Sequence, residues 1–95
     1  MQRQFEEKFR GRGIDQAGTL LLRADTALEM VEALPAENIR LLGIDGFRVS
    51  EEGTQPLQDD SVDLSREERV DAWSKGRDFL KTRLNTDLYF EVVIE

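Results

Sequence analysis

The sequence predicts a small α+β domain in which two main helices pack on one face of a β-sheet. Three observations carry this. ADTALEMVEALP (24–35) repeats apolar residues at helical spacing, SREERVDAWSKGRDFLKTRL (65–84) does so behind a capping signal, and DLYFEVVIE (87–95) alternates strictly. Helices and a strand that are apolar on one side are satisfied together by burying those sides in a common core. Ninety-five residues suit a single domain, 1–95, large enough for one core without a disulfide or a metal.

Taken in order, QRQFEEKF (2–9) sets Phe5 and Phe9 one helical turn apart and predicts a short helix, broken by Gly11 and Gly13. IDQAGTLLLR (14–23) reads equally as strand or as a buried helical turn; a strand over 19–23 would strengthen the sheet. In the next segment Asp25 or Thr26 caps a helix, and Thr26 with Glu29 has capping-box spacing. Ala27, Met30, Val31 and Leu34 face the core, and Pro35 ends the helix.

NIRLLGIDGFRV then predicts a strand over 39–44 that continues to 49 on one reading. Asp45-Gly46 fits a two-residue hairpin turn. It also fits a bent strand with Leu41, Gly43, Asp45, Phe47 and Val49 on one face, and both readings stand. EEGTQPLQDDSVDL (51–64) reads as a loop with a short extended piece near Leu57. Ser65 opens the second main helix with a Ser65–Glu68 capping box, an Asp71–Lys75 pair and a stripe of Val70, Trp73, Leu80 and Leu84, stopping near Asn85. The final strand turns Leu88, Phe90, Val92 and Ile94 one way and Tyr89, Glu91, Val93 and Glu95 the other. If its edge is exposed, a second chain could supply a missing strand, so the sequence leaves oligomeric state open.

Composition narrows function by exclusion. The chain has no cysteine and no histidine, which removes disulfides, zinc fingers, thiolate nucleophiles and histidine-based triads. No carboxylate pair singles itself out, so catalytic residues and cofactors are expected to be absent and an enzyme ranks last. A net charge of −7 disfavours nucleic acid and anionic lipid as partners. No 18-residue apolar run occurs and the opening MQRQFEEKFR lacks a signal-peptide core, which predicts a cytoplasmic protein without a membrane span.

The excess charge is concentrated. Residues 51–64 hold Glu51, Glu52, Asp59, Asp60 and Asp63 with no base among them. Read from Asp59, a calcium loop would need Gly where Leu64 stands and Glu where Val70 stands, so no metal site is assigned. Solvation alone explains many such runs, but a basic protein surface would also meet this one, and the five acids are the expected partner-binding residues. Trp73 reads as core packing. Arg77 falls inside the apolar stripe; it either snorkels to the edge or meets a strand carboxylate, for which Asp45 is the natural candidate.

The order DTALEMVEAL, NIRLLGIDGF, a loop, a helix ending DFLKTRL and a terminal LYFEVVIE resembles the immunity protein 40 family of bacterial polymorphic-toxin systems. The matching positions are Asp25, Ala27, Leu28 and Glu29; Ile39, Leu42, Gly43 and Asp45; and Phe90, Glu91 and Val92. The chain departs from the family in TQPLQDD, where family members often carry aromatic residues. The resemblance implies a non-enzymatic antitoxin-like protein that binds and neutralises a cognate protein toxin. The alternative reading is a small cytoplasmic adaptor or regulatory interaction module.

Overall fold

The structure, a computed structural model, describes residues 2–95. Five antiparallel strands form one sheet in the order β1-β2-β5-β3-β4, and three helices join it in one core. The α+β class and a pair of main helices on one side of the sheet are as the sequence predicts; the extent and order of the strands are not.

Helix α1 (Gln2–Arg10) sinks Phe5 and Phe9 into the core with their ring centroids 5.7 Å apart. The ambiguous segment is a hairpin of β1 (Ile14–Gln16) and β2 (Thr19–Arg23). Its two-residue turn, Ala17-Gly18, has positive φ at both positions (52° and 91°), the geometry that matches strand twist. Asp15 Oδ1 accepts from the Gly18 N–H at 2.8 Å, so a side chain steadies a turn whose Ala-Gly sequence is a weak signal.

Helix α2 (Ala24–Glu37) starts directly from β2, with Arg23 in extended conformation at the junction. The Thr26–Glu29 capping box does not form. Thr26 is buried beside Asp25, and Glu29 pairs instead with Arg12. Nor does Pro35 end the helix. Its missing N–H removes one helical bond, and the chain runs on to Asn38, whose left-handed conformation (φ 54°) closes the last turn. The Asn38 and Ile39 N–H groups bond back to Pro35 and Leu34 carbonyls at 3.0 and 3.1 Å, the two bonds of a Schellman closure.

Strand β3 (Leu41–Ser50) is continuous, so Asp45-Gly46 lies inside a strand and is not a turn. The expected loop at 51–64 is mostly β4 (Gly53–Asp63), joined to β3 through a tight turn at Glu51-Glu52. A bulge hides it from period-two reading. Between the pairs Ile44↔Val62 and Gly46↔Leu57, β3 supplies Asp45 alone while β4 supplies residues 58–61. The Ser61 hydroxyl closes this excursion, accepting from the Gly46 N–H at 3.0 Å and donating to the Leu57 carbonyl at 2.8 Å. A second irregularity against β5, between Leu41 and Gly43, turns Leu41 into the core, away from the face it was expected to share with Asp45.

Helix α3 spans Arg69–Lys81, three residues later than the capping signal implies. Ser65 is engaged elsewhere: its N–H and hydroxyl both donate to Asp63 Oδ1, at 2.9 and 2.7 Å. The later start shifts the buried stripe to Ala72, Trp73, Gly76 and Leu80, leaving Val70 67% and Leu84 44% exposed. Lys75 pairs with Glu67 at 2.8 Å rather than with Asp71. Strand β5 (Tyr89–Ile94) lies between β2 and β3 in the middle of the sheet, so its edges are already paired and need no second chain. Its inward residues Phe90 and Val92 are buried, as the alternation predicts.

Candidate functional site

Alternation along β3 and β5 sends one set of side chains under the helices and the other to the opposite face. Ile44, Gly46, Phe90 and Val92 are buried on the helix side. Asp45, Phe47, Tyr89, Glu91 and Val93 stand on the open side, exposed or half-buried. The register stacks them in rows. Arg23, Tyr89, Phe47 and Pro56 are successive cross-strand partners over four strands, and the Arg23 guanidinium sits 5.6 Å from the centre of the Tyr89 ring. In the neighbouring row Asp45 is directly opposite Glu91.

Two carboxylates facing each other across an antiparallel pair repel, because cross-strand side chains are close neighbours. Partial burial of Glu91 raises its pKa from the ordinary value of 4.5, and the charges of Asp45 and of Glu6 on α1 raise it further. Among the described residues neither Asp45 nor Glu91 has an ion-pair partner.

Beside this pair the β4 bulge opens a shallow groove of about 740 Å³, lined in part by Leu42, Phe47, Pro56 and Val93. Asp45, Asp59 and Asp63 also line it, and no Lys or Arg does among the described residues. Asp63 is held ionised: the Ser65 hydroxyl and N–H both stabilise its carboxylate and lower its pKa.

The five acids expected to act as one loop are therefore divided. Glu51 and Glu52 are exposed at the β3–β4 turn. Asp59 and Asp63 join the groove. Asp60 turns towards Arg83, whose Nε donates to it at 3.0 Å. That same guanidinium donates to the Asp59 and Phe79 carbonyls at 3.2 and 3.1 Å and lies 3.9 Å above the Phe79 ring. Arg83 thus clamps the bulge from behind, and Asp60 serves the clamp.

Asp45 and Arg77 do not pair. Asp45 projects from the open face, whereas α3 packs against the other side through Leu41 and Ile44. Trp73 is 9% exposed and its indole N–H donates to the Ile39 carbonyl at 2.9 Å, tying α3 to the start of β3. The residues that sequence reasoning missed as a site are Asp45 and Glu91 together. The alternation of DLYFEVVIE already places Glu91 outward, but only the β3–β5 register brings Asp45 opposite it. No three acidic residues converge closely enough to hold a metal ion among the described residues. Among the described residues no helix is long and apolar enough to cross a membrane. No family model, no curated protein and no solved structure matches this chain.

Proposed function

We propose that the protein is a non-enzymatic immunity protein, which neutralises a cognate protein toxin by binding it stoichiometrically through the acidic open face of the sheet. The observation that carries this reading is the Asp45–Glu91 pair, two like charges held opposite each other, Asp45 exposed and Glu91 half-buried. Such a pair costs stability in the free protein, and a cation brought by a partner turns that cost into binding energy. The two carboxylates also belong to the segments that resemble the immunity protein 40 family. The expected acidic loop gives way here to a groove, with Glu51 and Glu52 at one end of the hairpin as peripheral charge.

The test is co-expression with the polypeptide encoded beside this chain, followed by pull-down. The expected result is a one-to-one complex and protection of the host cell. No binding and no protection would reject the immunity reading.

A further inference from the structure

Resting on that reading of the open face, we infer that the groove beside the β4 bulge receives an extended, arginine-bearing segment of the partner protein, with a guanidinium seated between Asp45 and Glu91. Charge selects the occupant's sign. Asp45, Asp59 and Asp63 line the groove and Glu91 adjoins Asp45, with no basic side chain lining it among the described residues. A phosphate backbone or an anionic lipid surface would be repelled.

Spacing selects the kind of cation. The carboxylates are distributed along the groove rather than gathered on one point, and no three of them form a metal-binding group among the described residues. Spaced acids suit spaced basic side chains on one chain, not a single divalent ion. The lining selects arginine. Phe47 lines the groove in the row next to the two acids, so a planar guanidinium can take both carboxylates while resting against an aromatic surface. Leu42, Pro56 and Val93 offer apolar contact for its aliphatic stem. A groove of about 740 Å³ is also larger than one amine would fill, and it runs beside β4, an edge strand of the sheet.

The groove is tested by nuclear magnetic resonance titration of the full chain with an acetylated, amidated hexa-arginine peptide. Spermine and a hexa-glutamate peptide serve as comparisons, and the titration is repeated with the double variant Asp45→Asn, Glu91→Gln. The expected result is a saturable set of shifts centred on Asp45, Phe47, Glu91 and Val93, weakened about tenfold in the double variant. Shifts spread evenly over Glu51, Glu52, Asp71 and Asp87, or unchanged in the double variant, overturn the proposal. Spermine binding the groove as tightly as the peptide overturns the protein segment as its occupant.

The two readings fail separately. A neighbouring toxin that is neutralised equally by wild type and double variant defeats the groove and leaves the immunity reading standing. Selective peptide binding without any effect on that toxin defeats the immunity reading and leaves the groove.

Discussion

At the scale of single residues, Glu91 and Gly46 show opposite relations between side chain and fold. Glu91 has a folded-state pKa above its ordinary value of 4.5, because burial, Asp45 and Glu6 all disfavour its charge. For an acid raised in this way the destabilisation is absent below pH 4.5 and complete once pH exceeds the folded-state value. Glu91→Gln is therefore expected to stabilise the free protein at pH 7 by about 0.2–1 kcal/mol, the scale of a repulsive cross-strand pair. In thermal melts the advantage should shrink towards zero as pH is lowered to 4.5. An equal shift at both pH values would remove charge repulsion as the cause. Gly46 is the converse, a residue the fold requires. A Cβ there would overlap the Asp60 carbonyl oxygen and lie 2.9 Å from the Asp60 Cβ, both belonging to the bulge it packs against. Gly46→Ala should cost about 1–3 kcal/mol in denaturant unfolding, the usual cost of forced overpacking. Both residues stand in sequence as ordinary strand positions, and their outward and inward directions follow from alternation. What each meets across the strand does not.

At the scale of elements, the same distinction separates what could be read from what could not. Helix α2 and strand β5 were legible because each carries its own period over enough residues, and neither needs a neighbour to define it. Strand β4 was not, because residues 58–61 interrupt its alternation and their stability comes from elsewhere in the chain: Ser61 bonds to Gly46 and Leu57, and Arg83 bonds to Asp59 and Asp60. Helix α3 starts later than its sequence signal because Ser65, which has the chemistry of a cap, gives its hydroxyl to Asp63. Arg83 is the clearest link between elements. It holds the β4 bulge while stacking on Phe79, which meets Phe90 of β5 edge-on at 6.1 Å. Arg83→Ala should lose about 1–3 kcal/mol and accelerate amide exchange selectively over 58–61. Arg83→Lys should recover only part of this, because an ammonium cannot span the Asp60 carboxylate and two carbonyls as a planar fork does. Uniform acceleration over the whole chain would mean that the clamp acts globally and does not hold the bulge in particular.

At the scale of the whole molecule, strand order and charge act together. The order β1-β2-β5-β3-β4 puts the last strand in the centre, a long-range outcome that no local period encodes. It is also what makes the site, since Asp45 and Glu91 are 46 positions apart and meet only through the β3–β5 ladder. The fold's class was therefore readable, and so was the presence of excess acid, while the place where acid and aromatic rows adjoin was not. The net charge of −7 gives the molecule a long-range field, which should draw in a basic partner before any contact forms. Raising ionic strength from about 0.01 to 0.15 M shortens the screening length from roughly 30 to 8 Å, so association with the proposed toxin partner should slow steeply while dissociation changes little. The charges divide this task by position. Glu51 and Glu52, exposed at the hairpin tip, lie at the margin; replacing both with lysine should lower the association rate and flatten its salt dependence. In the proposed complex Asp45 and Glu91 stand within the contact itself, so Asp45→Asn with Glu91→Gln should act chiefly on the dissociation rate. Stopped-flow association and surface-capture dissociation measured on the same variants separate the two. If the hairpin-tip pair governs dissociation and the groove pair governs only association, the contact lies at the turn and not on the open face.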